Sequence, residues 1–309
     1  MNEIVLAILQ PVALLLAAPL FSGVSRVLRA KMHTRKGPSI FQDYYDILKL
    51  FKREDVRTID SGAPFRIMPV LYLATVLLLA MGIPMVTRFC PIPALGDFIV
   101  VVYMLALPRF FFALSSIDSS GSYPGVGGVR ELLASALIEP SMIIALFAVA
   151  IATGCSNIGD MGGALSSLSF TSPIAMVVAA FAFCVACYME LGKLPYDVAE
   201  AEQELQEGPL AEYSGPSLAF LKLGMSLKQI IVISMLLAIF FPFGSAVDMT
   251  PASLALGLLV FFVKMSVVFT VCALIENTVV RVRFKLLSQH TWMVVGCSVL
   301  SLAFLVMGI

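Results

Sequence analysis

The sequence is poor in charge and in the residue patterns on which catalysis usually depends. Charged side chains make up 13% of its 309 residues, against roughly 25% in soluble domains. It has two histidines, and it lacks a phosphate-binding glycine loop, a nucleophile elbow and a dinucleotide fingerprint. These absences argue against a self-contained enzyme, and no nucleic-acid partner is expected.

Hydrophobic sequence is abundant, at 60% of the residues and a mean hydropathy of +0.97. A helix needs roughly 20 mainly apolar residues to span a bilayer. Eight runs qualify: 4–27, 67–87, 98–116, 132–153, 173–191, 227–243, 252–276 and 291–307. The sequence therefore predicts an all-α integral membrane protein, with a single transmembrane domain over 1–309 and a bundle of about eight helices.

Lysine and arginine are concentrated in alternate loops. Of the 20 basic residues, 17 fall in four segments: 26–66, 117–131, 193–228 and 277–290. The intervening segments hold only Arg88: 1–3, 88–97, 154–172, 244–251 and 308–309. Because basic loops stay in the cytoplasm, we predict a multi-pass protein of the cell (inner) membrane with both termini on the outer side.

The cysteines favour no metal site. Cys184 and Cys187 form a C-x-x-C in an apolar run with no second pair, so two small packing residues are favoured over a four-ligand site. Cys90 and Cys155 fall in two outer loops. A disulfide between them is an alternative to two free thiols.

The densest charge lies between Tyr188 and Tyr213, where seven carboxylates accompany one lysine. Most of it belongs to a predicted acidic cytoplasmic loop, 193–225. The aligned carboxylates are spaced 3, 4 and 3 residues apart, at Asp197, Glu200, Glu204 and Glu207. This spacing predicts one helical face. Like charges on one face repel, so cations, shared protons or a partner subunit must offset them.

Seven charges, Glu190 again among them, lie within the apolar runs or at their ends: Arg109, Asp118, Glu131, Glu139, Glu190, Lys264 and Glu276. Each costs about 2.5–3.5 kcal/mol at the bilayer centre on insertion scales, so these side chains should face the bundle interior. A functional role is the leading interpretation. Structural ion pairs are the alternative for Arg109, Glu139 and Lys264, and also for Glu190. Simple solvation at the interface is the alternative for the other three.

The first basic loop, 29–65, complements the acidic loop. Its amphipathic segment places apolar residues at helical spacing: Ile40, Phe41, Tyr44, Leu48 and Phe51. This pattern predicts an amphipathic cytoplasmic helix on the bilayer surface. Binding of lipid headgroups, docking of a peripheral protein and pairing with the acidic segment remain open as its role.

Three stretches resemble a known family. RKGPSIFQDYYDILKLFKRE (35–54), GVGGVRE (125–131) with Glu139, and MELGKLPYDVAEAEQELQEGPLAEYSG (189–215) resemble the H-type membrane subunit of respiratory complex I. The likeness spans nearly the whole chain. Lys193 stands where complex I tends to have arginine, and 203–210 departs from the complex I pattern. With these departures the chain is most similar to the formate hydrogenlyase and hydrogenase-4 type of membrane-bound [NiFe] hydrogenase.

This resemblance implies a non-catalytic membrane subunit of an oxidoreductase complex, which anchors a hydrogenase arm and links its electron transfer to proton or ion translocation. The implied partners are hydrogenase large and small subunits, an iron–sulfur subunit, antiporter-like membrane subunits and membrane lipid. Iron–sulfur clusters and the [NiFe] centre are expected in those partners, and no cofactor or metal in this chain. The departure at 203–210 argues against quinone.

Two alternatives differ in class. One is a quinone-binding membrane subunit of a complex I-like NADH:quinone oxidoreductase. The other is a secondary transporter, which predicts internal repeats that the sequence does not show.

The candidate site residues form two sets. The proton or coupling pathway would comprise Glu139, Glu190, Asp197, Glu200, Glu202, Glu204, Glu207, Glu212, Glu131, Asp118, Arg109, Lys264 and Glu276. Docking of the peripheral arm would involve Arg29, Lys31, Arg35, Lys36, Lys193 and Tyr213.

Overall fold

The computed structural model describes residues 3–167 and 172–308, apart from the side chains of residues 3, 167 and 202. In chain order the helices are α1 (Glu3–Met32), α2 (Gln42–Phe51), α3 (Ala63–Gly82), α4 (Phe98–Asp118), α5 (Ser122–Thr153), α6 (Ile158–Ser167), α7 (Pro173–Glu190), α8 (Glu202–Leu205), α9 (Gly215–Phe240), α10 (Pro251–Thr278) and α11 (Phe284–Met307). Eight of them, all except α2, α6 and α8, are long and apolar enough to cross a membrane. The predicted all-α membrane bundle is confirmed.

Two spanning helices begin at least ten residues earlier than hydropathy predicts. Helix α5 begins at Ser122 rather than 132, so Arg130 and Glu131 lie inside it. Helix α9 begins at Gly215 rather than 227. Pro216 occupies its first turn, where a missing N–H and a fixed φ favour helix initiation. These helices extend past their apolar runs because helical hydrogen bonding does not end where charge begins.

Helix α9 lies at the centre of the bundle, in contact with α1, α2, α3, α6, α7 and α10. Helix α4 packs between α3 and α5, and α11 covers α5 and α7. Fully buried apolar side chains such as Met142, Phe183 and Leu221 fill the interior. Helices α4, α5, α7 and α9 thus enclose one common core, and the charged site lies there.

At the end of the bundle opposite α2, two long polar side chains satisfy helix C-termini. The Gln10 amide donates to the carbonyl oxygens of Ala80 and Ile83, both at 2.9 Å, where α3 ends. The Lys264 ammonium donates to the carbonyl of Phe241 at 2.6 Å and to that of Phe243, just past α9. Carbonyls at a helix C-terminus lack intrahelical donors, so Lys264 caps α9. Its predicted place in the coupling pathway has no support from these contacts.

All six cysteines carry free thiols in the described part of the chain. The alternative of a disulfide between Cys90 and Cys155 is therefore wrong. Cys90 is buried and its thiol donates to the Asn157 side-chain oxygen at 2.9 Å, and burial raises its pKa to about 12. Within residues 3–167 and 172–308, no three metal-binding side chains come together.

Candidate functional site: a buried charge cluster below a cavity

Four charged side chains from four helices meet in the core. Arg109 on α4 donates from Nε to Glu131 on α5 and from Nη1 to Glu190 on α7, both at 2.5 Å. Lys228 on α9 contacts the other Glu190 oxygen at 2.8 Å. We call this set the core cluster. Glu190 lies at its centre, since one carboxylate binds both cations.

The core cluster is balanced in charge and largely closed to solvent. The exposed fraction of the side chain is 4% for Arg109, 15% for Glu131, 1% for Glu190 and 10% for Lys228. Two cations face two carboxylates, so each desolvated charge has a partner at hydrogen-bonding distance. Removing one partner of a buried pair typically costs about 3–5 kcal/mol, because the other charge stays buried and unpaired. The cluster therefore locks together the four helices that surround it.

A cavity of about 140 Å³ lies directly against the core cluster. All four cluster residues line it, and Tyr72 and Gln229 add polar groups. Asp197 and Glu200 of the acidic segment line the same cavity. A polar cavity of this size can hold water. It connects the buried ion pairs to the carboxylates of the segment that follows α7.

Glu139 lies further along α5, eight residues from Glu131 and hence about 12 Å away by helical rise. It is half-buried, and the Ser135 hydroxyl donates to its carboxylate. No ion pair joins Glu139 to a described cation, so the alternative of a structural ion pair is wrong for Glu139. The described hydrogen bond to the Glu139 carboxylate comes from a neutral donor, whereas Glu131 and Glu190 are bound by cations.

The acidic segment is not the helix that its spacing predicts. Residues 197–201 are not helical, and α8 holds only four residues. Asp197 pairs with Arg281 at 2.8 Å, and Glu204 pairs with Arg130 at 2.8 Å. The prediction of one aligned face was wrong: the segment is not a continuous helix, and Asp197 and Glu204 pair with two arginines that are distant in sequence. A hydrogen bond from Arg130 and its charge lower the pKa of the Glu204 carboxyl.

The other carboxylates of this segment are dispersed. Glu207 is exposed, and Glu212 is half-buried near Gly121. The side chain of Glu202 lies outside the described part of the chain. Of the five carboxylates from 197 to 212 whose side chains are described, Asp197 and Glu200 are the two that line the cavity.

A second ion-pair group joins α1 and α10 to the segment after α7. Glu276 contacts Arg29 at 2.8 Å and Lys193 at 3.1 Å, and its side chain is 3% exposed. It is thus paired rather than solvated, against the alternative considered from sequence. Asp118 instead accepts from the backbone N–H groups of Gly62 and Phe65. It caps the start of α3 and does not line the cavity.

Some of the residues predicted to dock the peripheral arm are exposed, and others are buried. Lys31, Arg35 and Lys36 are exposed. Tyr213 is 5% exposed: its ring stacks on Phe65 at 4.2 Å, with its hydroxyl 2.9 Å from the Ser115 hydroxyl. An aromatic ring held in this way cannot contact a docked protein, so a docking role for Tyr213 is not supported.

Sequence reasoning missed Lys228, Arg130 and Arg281 as site residues. By sequence, Lys228 is grouped with the basic cytoplasmic segment 193–228, although it lies at the edge of the apolar run 227–243. The signal that could have placed it in the membrane is Gly215-Pro216, a helix start twelve residues earlier. The two arginines carry no local signal, because their partners lie 74 and 84 residues away.

Comparison with known proteins agrees with this architecture. Residues 4–307 match the NADH dehydrogenase family. Hydrogenase-4 component C of Escherichia coli K12 is 45% identical over 300 residues, covering 97% of this chain and 94% of that protein. Formate hydrogenlyase subunit 4 of the same organism is 40% identical over 285 residues, covering 92% and 93%.

A solved structure shows the same fold. A chain of the membrane-bound sulfane sulfur reductase, an archaeal respiratory membrane complex, superposes with a TM-score of 0.85 at 22% identity, covering 100% of both chains. The predicted resemblance to the H-type membrane subunit of complex I, with greatest similarity to the hydrogenase type, is confirmed.

Proposed function

Because this chain belongs to the NADH dehydrogenase family, with relatives at 45% and 40% identity in hydrogenase-4 and formate hydrogenlyase, we propose that it is the membrane anchor and coupling subunit of an energy-converting [NiFe] hydrogenase complex. It would link electron transfer in a peripheral arm to proton or ion translocation. The observation that carries this proposal is the cavity shared by the core cluster and the acidic residues Asp197 and Glu200.

The coupling would start in the acidic segment. Asp197 is held by Arg281 on the segment before α11, and Glu204 by Arg130 on α5. A displacement of this segment by a docked subunit would change the charge facing the cavity. In a low-dielectric site a unit charge acts strongly on its neighbours, so the core cluster would respond by redistributing its protons and ion pairs. Glu139, bound to a neutral donor, is free to take up or release a proton.

The anchoring role rests on the charged end of the bundle. Lys31, Arg35 and Lys36 are exposed there, near a segment rich in carboxylates. We place this end in the cytoplasm and both termini outside, since 16 of the 20 basic residues lie toward that end and the other four are Arg88, Arg109, Lys228 and Lys264. The proposed partners are hydrogenase large and small subunits, an iron–sulfur subunit and antiporter-like membrane subunits. The redox cofactors would belong to them.

The test uses membrane vesicles containing the assembled complex, with Glu200→Gln and Glu139→Gln as variants. Glutamine keeps the volume but cannot carry the ionisable proton. We expect hydrogen evolution from a reduced viologen to persist in Glu139→Gln while the ion gradient per hydrogen falls, and both activities to fall in Glu200→Gln. Glu207→Gln is the matched control, because its carboxylate is exposed and outside the cavity.

Two results would contradict the proposal. One is purification of the tagged chain without a [NiFe] large subunit. The other is an ion gradient per hydrogen in Glu139→Gln and Glu200→Gln equal to that of the Glu207→Gln control. Hydrogen evolution abolished by quinone-site inhibitors would point instead to the quinone-binding alternative.

A further inference from the structure

Helix α2 carries an apolar stripe on the side that faces away from the protein. Phe41, at its N-cap, and Tyr45 and Leu48, within it, follow one another at spacings of four and three residues, which places them on one face. Their exposed fractions are 56%, 62% and 58%. None of the residues predicted for coupling or for docking of the peripheral arm lies on this face.

The opposite side of α2 is fixed to α1 and α9. Asp43 pairs with Arg26 at 2.7 Å, and the Tyr44 hydroxyl donates to the carbonyl of Leu16. The Phe51 and Phe220 rings meet edge to face at 5.4 Å. The orientation of the helix is therefore set by protein contacts, and the outward direction of the stripe follows from them.

The contacts with α1 show how deeply α2 lies. Leu16 precedes the end of α1 at Met32 by sixteen residues, which is about 24 Å of helix. The carbonyl of Ile40 lies so close to Gly23 that a Cβ there would be 2.1 Å away. The N-terminal end of α2 is thus packed beside the apolar part of a spanning helix.

The other end of α2 lies at the level where α9 begins. Ser214 exchanges hydrogen bonds with the backbone of Val56 at 2.8 and 2.9 Å, and Ser217 donates to Asp55 at 3.0 Å. Because Ser214 directly precedes α9, the chain after α2 is at the surface of the bundle. Helix α2 therefore slants from the apolar depth at Phe41 toward the interface.

Basic residues stand at this shallow end. Lys49 follows Tyr45 by four residues and Lys52 follows Leu48 by four, so both extend the stripe. Together with Arg53 they are exposed, and none forms an ion pair with any described residue. The charged groups of long basic side chains extend to the phosphate layer while their aliphatic stems stay in the apolar region.

We propose that the outward face of α2 is a binding surface for anionic phospholipid, with acyl chains against Phe41, Tyr45 and Leu48 and headgroup phosphates at Lys49, Lys52 and Arg53. The occupant is the surrounding bilayer rather than a protein. A stripe that starts at apolar depth and ends in unpaired cations matches the chemistry of a lipid leaflet from tail to headgroup.

Fluorescence quenching tests the depth of the stripe. The chain has one tryptophan, so Trp292→Phe removes the background and Leu48→Trp introduces a probe. In the full-length chain reconstituted in bilayers, lipids brominated on their acyl chains should quench the Leu48→Trp probe and acrylamide should not. Ile59→Trp is the control, fully exposed beyond the helix, and it should show the reverse.

Lipid selectivity tests the cations. Phosphatidylglycerol should be enriched over phosphatidylcholine in the lipid that co-purifies with the chain. Each of Lys49→Gln, Lys52→Gln and Arg53→Gln should weaken the preference about fivefold, the factor that corresponds to about 1 kcal/mol per basic residue. Lys285→Gln, at the start of α11, should leave it unchanged.

Three outcomes overturn the proposal. Quenching of the Leu48→Trp probe by acrylamide would place the stripe in water, and quenching by neither reagent would mean that a second copy of the chain covers it. Equal phosphatidylglycerol enrichment in the three variants and in Lys285→Gln would remove the headgroup site. None of these results depends on hydrogenase activity.

Discussion

At the level of single residues, Glu190 determines how the core cluster works. Its two oxygens bind different cations, Arg109 at 2.5 Å and Lys228 at 2.8 Å, and these come from helices on either side of α7. Loss or displacement of either cation would therefore change the electrostatic environment of the same carboxylate. Glu190 is thus a single group in contact with cations of both α4 and α9.

Lys228→Gln should destabilise the chain, because it leaves Glu190 with one cation in a buried site. The expected loss is about 3–5 kcal/mol, measured as a lower midpoint of thermal unfolding in detergent. Glu190→Gln in the same chain should recover part of the loss, since it restores the balance of one cation to one carboxylate. Lys222→Gln, on the same helix and outside the described ion pairs, is the control. Equal midpoints for Lys228→Gln and Lys222→Gln would mean that the pair does not hold the core.

At the level of elements, close helix contacts depend on particular glycines. Gly23 lets the backbone before α2 approach α1, with the carbonyl oxygen of Ile40 only 2.1 Å from where a Cβ would be. The same contact, between α1 and the loop before α2, sets the position of the apolar stripe of α2. Gly296 on α11 has nothing described within 4 Å of its Cβ position. Two helical glycines in one protein thus have opposite tolerance for a methyl group.

Gly23→Ala should lower the midpoint of thermal unfolding and increase proteolysis of the segment before α2, because backbone must move to admit the new methyl group. Gly296→Ala should be neutral or stabilising by up to about 1 kcal/mol, as expected when alanine replaces glycine in a helix. The same midpoint shift in both variants would show that α2 does not depend on close approach to α1.

The acidic segment is fixed by ion pairs with arginines of other parts of the chain. Its pairs with Arg130 and Arg281 join it to α5 and to the start of α11. Since the side chain of Glu204 is 56% exposed, the pair fixes position more than it adds stability. The segment can therefore be released without unfolding the bundle.

Arg130→Gln should free the segment at neutral pH. A spin label on Gln203→Cys should be restricted at pH 7 in the unsubstituted background and mobile in Arg130→Gln. Because the folded-state pKa of Glu204 is lowered, the pair is complete above the ordinary carboxyl pKa of about 4.3 and is lost as the pH falls through the lowered value. A label equally restricted at pH 7 with and without Arg130 would contradict this role.

Part of the fold and of the candidate site could be predicted from the sequence. The eight spanning helices were predictable, because each contains an apolar run of about the length that a bilayer requires. The start of α9 and the position of Lys228 were not predicted, because Lys222 and Lys228 were counted with the basic loop before the span. The pairs of Asp197 with Arg281 and of Glu204 with Arg130 join residues far apart in the chain, so a local spacing rule predicted a helical face that does not form.

At the level of the whole molecule, the asymmetry of charge predicts the orientation of the bundle in the membrane. The chain has 20 basic and 20 acidic residues, yet nearly all basic residues outside the spans lie at the end that carries α2 and the acidic segment. The opposite end has Arg88, which donates to the carbonyl of Gly163 at 2.8 Å. The two ends therefore have different interactions with an anionic leaflet.

Cysteine labelling should report this orientation. In a chain without its native cysteines, Asp160→Cys on α6 should react with a membrane-impermeant maleimide added to intact cells. Glu207→Cys should react only after permeabilisation. Both side chains are exposed, so access to reagent depends on the side of the membrane. Labelling of Glu207→Cys in intact cells would invert the proposed topology.

The core cluster also constrains how the protein is made. Arg109 and Glu131 belong to consecutive helices, α4 and α5, so they can neutralise each other as soon as both have left the ribosome. Glu190 arrives with α7 and adds a carboxylate whose second cation, Lys228, is supplied only by α9. Between these two synthesis steps the nascent chain holds an incompletely paired acid in lipid. A chain that stalls after α7 should therefore be retained by the insertion machinery or degraded, whereas one that has completed α9 should be released into the bilayer.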